Sequence, residues 1–224
     1  MARVSHSHKF IYISGGRNAT GAINAALEKI PNVKMSEPAK KNKNLWNKFN
    51  KHAPAMTIKN IISEEVWKSY YTFTFVRNTY SWVISSVGFW FKIGRLRKPK
   101  DGYLTMDHFR EAVKYYRTPV GRRHDANSDI RSQHSFICDD SGEIMVDFVG
   151  RFEHLQKDFD KICKQIPVDP ISLTVQNSSM ASLKKKHSVG IPWIEHYKRN
   201  PEAQEYIYKH WKRDIDAFDF KLEM

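Results

Sequence analysis

Two short apolar runs stand out from an otherwise polar, lysine-rich chain. Residues 71–76 alternate aromatic and β-branched or hydroxylated side chains (Tyr71, Thr72, Phe73, Thr74, Phe75, Val76), the composition of a strand buried in a sheet. Residues 9–14 (Lys9, Phe10, Ile11, Tyr12, Ile13, Ser14) read as a second strand. Each run leads into a helical pattern. The earlier one passes through Gly15, Gly16, Arg17, Asn18, Ala19, Thr20, Gly21 and Ala22 into a helix-like segment at 23–30, and the later one reaches Asn78, a favourable N-cap. Strand, connection, helix and strand in this order predict an α/β fold, a parallel sheet flanked by helices, with a crossover from strand 9–14 to strand 71–76. A helix at about 57–70 precedes the second strand. Further on, the pattern predicts a helix at 106–116, a strand at 144–149, an amphipathic helix at 152–166 and a helix at 201–218 that covers the sheet. The polar stretch 38–54 is expected to loop across the mouth of a site, 95–102 is a basic turn region, and the connection 118–132 is long enough to contribute binding residues.

The chemistry sits at the two strand ends. Arg77 follows the strand directly and Ser85 comes eight residues later, so both can meet at one anion beside the positive end of a helix. A salt-bridged arginine at a strand end is the plainer alternative. At the other junction, strand, glycine-rich loop and helix form a phosphate cradle. Gly16 and Gly21 have the spacing of a nucleotide-triphosphate P-loop, but Ala22 and Ile23 stand where Lys and Ser/Thr belong. No lysine there reaches a γ-phosphate and no hydroxyl holds magnesium. The cation sits early in the loop instead, at Arg17.

Together the two junctions resemble the sulfotransferases that use 3'-phosphoadenosine 5'-phosphosulfate (PAPS), in particular the branch of carbohydrate sulfotransferases and their bacterial relatives. In that family a first loop reading approximately Pro-Lys-Thr-Ala/Gly-Gly/Ser-Thr-Ser holds the 5'-phosphosulfate. A second motif, Phe-Val-Arg-Asn/Asp-Pro followed by a serine, holds the 3'-phosphate. Arg17, Asn18, Ala19, Thr20, Gly21 and Ala22 fall on the first motif, and Arg77 and Ser85 on the second. The resemblance continues through residues 51–55, 61–71 and 146–155. It implies a P-loop-like sulfotransferase fold, a single domain over 1–224, PAPS as donor, PAP as product and no metal requirement. Two positions depart from the pattern. Arg17 replaces the first-loop lysine; its guanidinium stays protonated at any working pH, so it stabilises leaving-group charge only electrostatically. Thr79 replaces the proline after the second-motif Asn/Asp, which loosens the helix start and removes no ligand.

Transfer to a hydroxyl or amine also needs a base. His52 is the first candidate, because it lies in a block where related sulfotransferases place a histidine and a free imidazole titrates near neutrality. A surface histidine in a basic loop is the competing reading. Glu37 is the rival base: Met35, Ser36, Glu37 and Pro38 resemble the strand-end segment where some glycan sulfotransferases carry a catalytic glutamate, although Glu37 has Lys34 and Lys40 nearby to pair with. Lys185, within Lys184 to Lys186, falls in the region where family members fold a basic loop over the cofactor, although a plain solvated run is the competing and simpler reading. Arg151 and Glu153 match a family block but read as a structural ion pair, and Trp82, Phe89 and Trp90, at helical spacing, read as core.

Composition narrows the partners. The 224 residues carry a net charge of +13, which calls for an anionic partner that PAPS satisfies. The acceptor is expected to be a carbohydrate or small natural product rather than nucleic acid. A P-loop kinase or NTPase, a basic nucleic-acid-binding protein, and a fold that keeps the cofactor but has lost catalysis through Arg17 remain the alternatives. Cys138 and Cys163 are far apart and lack metal or redox spacing, so core thiols in a reducing compartment are expected. No run approaches the roughly 20 apolar residues of a membrane helix. Met1 to Lys9 lacks a signal-peptide core, which points to a cytoplasmic protein without membrane attachment, and His6 and His8 sit in an N-terminus expected to fray and are assigned no role.

Overall fold

The computed structural model describes residues 2–44, 52–117, 132–174 and 191–222. They fall into two compact units, 1–76 with 119–176 and 77–118 with 177–224. In chain order the strands are β1 (Arg3–Ser5), β2 (Phe10–Ile13), β3 (Met35–Ser36), β4 (Tyr71–Val76) and β5 (Phe148–Arg151). The helices described are α1 (Thr20–Leu27), α2 (Pro38–Lys41), α3 (Ala55–Lys59), α4 (Glu64–Ser69), α5 (Thr79–Lys92), α6 (Met106–Arg117), α7 (Leu155–Gln165), α8 (Trp193–Arg199) and α9 (Glu202–Ala217).

The first unit holds the sheet, in the order β3-β1-β2-β4-β5. The α/β expectation is met: β2, β4 and β5 are parallel, with Phe10 opposite Tyr71 and Phe73 opposite Phe148. β1 runs antiparallel to both β2 and β3, which makes the sheet mixed. By this topology the carboxyl ends of β2, β3, β4 and β5 share one edge, where ligands bind in open α/β sheets. Phe10, Tyr12, Phe73 and Phe75 alternate along β2 and β4 and pack with Ile23, Ala26 and Leu27 of α1 and Phe159, Ile162 and Cys163 of α7. Ile11, Ile13, Thr72 and Thr74 point to the other face and are also buried. Burial on both faces explains the nearly unbroken apolar reading of these strands.

Three local expectations are corrected. The N-terminal stretch expected to fray contains β1, whose Val4 pairs with Ile11 on one side and Ser36 on the other. The helix expected over 57–70 is two, α3 and α4, because the Ser63 hydroxyl accepts from the Val66 N–H and starts a new helix with Glu64 and Glu65 in its first turn. The strand expected at 144–149 pairs later, at Phe148–Arg151. Ile144 instead bridges to Cys138, and the Asp147 carboxylate accepts from the Thr72 N–H and hydroxyl at 2.7 and 2.8 Å. Gly150 sets the register against β4, since a Cβ there would lie 2.5 Å from the Phe75 ring.

The second unit is helical. Trp82 and Trp90 of α5 are buried against Tyr116 of α6, at ring separations of 4.6 and 5.5 Å, while Phe89 of the same helix is exposed. Trp211 of α9 joins this cluster at 6.0 Å from Trp82. The Tyr197 hydroxyl donates to the Tyr80 carbonyl at 3.0 Å. His196 is buried, and its Nδ1 accepts from the Leu104 N–H at 3.2 Å. Burial lowers its pKa to about 4, helped by His108 and opposed by Glu195.

Candidate functional site

In the first unit the glycine-rich loop joins β2 to α1. Arg17 and Ala19 are held in the left-handed region, at φ 68° and 58°. Each such non-glycine residue costs about 1–2 kcal/mol, and residues in this conformation are the ones from which anion-binding nests of backbone N–H groups are built. Ala19 is the N-cap of α1 and supplies no side-chain cap; the first turn has no acidic residue. Neither the cap nor the first turn of α1 thus supplies a side-chain counterpart to its positive end, the arrangement that suits an anionic ligand. A phosphosulfate matches this donor set.

Side chains from distant segments fix the loop. The Asn18 amide, almost fully buried, donates through Nδ2 to the Phe75 carbonyl at 2.9 Å and to Gln133 Oε1 at 3.0 Å. Gly15 makes room for it: a Cβ there would stand 2.8 Å from Asn18 Nδ2. The Thr20 hydroxyl donates to the Gly15 carbonyl at 2.8 Å. Among the first-motif residues, then, Asn18 and Thr20 direct their side chains to the protein itself. Gly21 is exposed and Ala22 buried. Ile23 is fully buried too, so the two positions where a P-loop carries Lys and Ser/Thr face the core.

His52 joins this loop. Its half-buried ring places Nδ1 at 2.9 Å from the Ser14 carbonyl. A carbonyl only accepts, so Nδ1 carries a proton, and in the neutral imidazole Nε2 then holds the lone pair. Nε2 lies over Gly16, 3.9 Å from where a Cβ would be. Glu37 stands just past β3 on the same sheet edge but is ion-paired. Its Oε1 lies 2.8 Å from Arg3 and its Oε2 3.4 Å from Lys40, with 16% of the side chain exposed.

The second motif lies in the other unit. Asn78 caps α5 by accepting from the Tyr80 N–H at 3.1 Å, while its Nδ2 donates to the Lys221 carbonyl at 2.7 Å. Arg77 donates from Nε to Ser81 Oγ at 2.8 Å, and that hydroxyl donates to the Asn78 carbonyl at 3.0 Å. Ser81 and Ser85 are one helical turn apart, so the anchored guanidinium and the Ser85 hydroxyl belong to one helix face. Helical spacing could have singled out Ser81; Gln133 has no sequence signal at all. Lys185 and the connection 118–131 lie outside the described residues. Arg151 ends β5, and its N–H donates to the Asp158 carboxylate at 2.9 Å. Among the described residues no group of three His, Cys, Asp or Glu side chains is placed to hold a metal ion, and no helix is long and apolar enough to cross a membrane.

A family model described as the sulfotransferase family matches residues 1–221. Searches of curated proteins and of solved structures return no significant match to the chain.

Proposed function

Because this chain belongs to the sulfotransferase family, we propose that it transfers a sulfuryl group from PAPS to a hydroxyl or amine of a carbohydrate or small natural product. The observation that carries this reading is the His52 imidazole, its Nδ1 on Ser14 and its Nε2 over Gly16 of a loop that ends in an uncapped helix. Bound PAPS supplies an activated sulfuryl group, whose bond to the 5'-phosphate breaks as the new bond to the acceptor forms. His52 takes the acceptor proton at Nε2, while its Nδ1–H stays committed to Ser14. Backbone N–H groups of the loop and of the first turn of α1 hold the 5'-side anions. Arg17 stabilises the charge that develops on the leaving phosphate, without donating a proton. Arg77 and Ser85 take the 3'-phosphate. Lys185 rests on the family resemblance alone.

Glu37 is the weaker candidate, because both of its carboxylate oxygens are engaged in ion pairs, one with Arg3 and one with Lys40. The family match runs through both compact units, which supports their working as one sulfotransferase domain over 1–224. The buried thiols of Cys138 and Cys163, neither of them in a disulfide, support a reducing, cytoplasmic setting.

Titration calorimetry with PAP against ADP tests the donor. PAP has the 3'-phosphate and ADP lacks it, so at least about tenfold tighter PAP binding is expected if one charge-assisted contact is lost. Equal or absent binding of both would overturn the assignment. Transfer of label from PAPS to a panel of glycans and small hydroxyl or amine compounds then identifies the acceptor.

A further inference from the structure

The segment that resumes at Ser132 touches both halves of the candidate catalytic apparatus in the first unit. Gln133 Oε1, in a side chain only 7% exposed, accepts from Asn18 Nδ2 at 3.0 Å. Three residues later the Phe136 carbonyl accepts from the Ala55 N–H at 2.9 Å, just beyond His52. Asn18 itself lies between two left-handed residues of the loop, and its Oδ1 is buried without a hydrogen-bond partner. The grip of its side chain therefore rests on Nδ2, shared between Phe75 and Gln133.

We propose that Gln133 is a positioning residue for sulfuryl transfer: through Asn18 it locks the glycine-rich loop in its anion-binding shape, and through the same segment it ties that loop to the His52 block. This deepens the PAPS reading and rests on it for its effect on catalysis. The physical need is specific. Two left-handed non-glycine residues make the observed loop costly, and alternatives open unless side-chain bonds hold it. Strand β4 supplies one of those bonds through a backbone carbonyl that substitution cannot remove. The other comes from the Gln133 side chain, which can be changed while the sequence of the loop itself is kept.

The test is Gln133→Met, which keeps shape and volume and removes the acceptor. Two readouts are taken on the full chain: hydrogen exchange of amides 14–22 without ligand, and PAP affinity by calorimetry. Loss of one buried hydrogen bond predicts exchange about 3- to 10-fold faster in this loop, and PAP binding weaker by a similar factor, with the exchange of α9 changed less than that of the loop. Asn18→Ala should reproduce both effects, and the double variant should cost no more than Asn18→Ala alone, because Gln133 acts through Asn18. Unchanged loop exchange in Gln133→Met, or additive losses in the double variant, would overturn the proposal. If the variant fails to fold, Gln133→Asn, which shortens the same amide, carries the same comparison. Faster loop exchange in a protein whose wild type binds no PAP would support the clamp while rejecting the donor assignment, so the two failures are distinct.

Discussion

The loop at residues 14–20 is held by side chains and carbonyls that arrive from residues 52, 75 and 133, whereas Arg77 is held by Ser81, one helical turn away. The first segment is strained and externally braced; the second is regular helix with its own N-cap. In the loop, two left-handed residues at about 1–2 kcal/mol each are offset by hydrogen bonds at about 0.5–1.5 kcal/mol each, so the strain is large enough for the loss of one brace to matter. The Arg77 segment carries no such debt. A strained loop can be tuned by residues far from its ligand, whereas the bond to Ser81 ties Arg77 to its own helix.

The largest expected effect separates bracing from chemistry within His52. His52→Asn retains an amide donor near the position of Nδ1, so the bond to Ser14 survives, but it has no group at Nε2. Turnover should fall by about 10²- to 10⁴-fold, the usual contribution of a general base, while PAP affinity stays close to wild type. His52→Ala should lose the brace as well and weaken PAP binding. Steady-state rates with labelled PAPS and calorimetry with PAP read the two effects, and full activity of His52→Asn would remove His52 as the base.

Acid probes the helical unit rather than the loop. His196 has a pKa of about 4 in the folded protein, against about 6.5 when unfolded. Between those values the unfolded chain binds more protons, so the stability from a neutral, buried imidazole is fully present above pH 6.5. It declines as pH falls through that window and levels off below pH 4, at a loss of about 3 kcal/mol. Urea midpoints at pH 7.5 and 4.5 should differ accordingly, and His196→Asn should flatten the difference; a wild type whose midpoint is unmoved over that range would show that His196 is not the titrating group.

Removing the second motif's charge should cost somewhat less. Arg77→Ala is expected to weaken PAP binding by about 1.5–3 kcal/mol, the worth of a charge-assisted contact, and to leave ADP binding unchanged. A loss shared equally by ADP would move Arg77 away from the 3'-phosphate.

The same contrast explains what could be read from the sequence. Strands β2 and β4, the N-cap at Asn78 and the arginine after Val76 were legible because each depends on neighbours within a few residues. The register of β5 was not, because it is set by Gly150 fitting under Phe75, a contact across the sheet. Nor was β1: three residues gain their order only by lying between β2 and β3. In the loop, Arg17 to Ala22 were recognisable as a motif, yet Asn18 and Thr20 proved to hold the loop with their side chains, since their partners at Phe75, Gln133 and Gly15 are fixed by the fold. Glu37 looked like a base by analogy, and its pairing with Lys40 was foreseeable, but Arg3 reaches it only through β1.

The smallest effect is the sharpest test of the self-anchored plan. Ser81→Ala removes the acceptor for Arg77 Nε and leaves the guanidinium charge in place. Loss of orientation alone should weaken PAP binding by about 0.5–1.5 kcal/mol, the net worth of one hydrogen bond. The hydroxyl also donates to the Asn78 carbonyl, but alanine is the better helix former by a few tenths of a kcal/mol, so the thermal midpoint should hardly move. Loop exchange at residues 14–22 should also stay unchanged, in contrast to Gln133→Met. A fall in the thermal midpoint without any fall in PAP affinity would mean that Ser81 serves the helix start and not Arg77. Weaker binding at constant stability would show that a single hydroxyl one turn away does for Arg77 what three distant segments do for the loop.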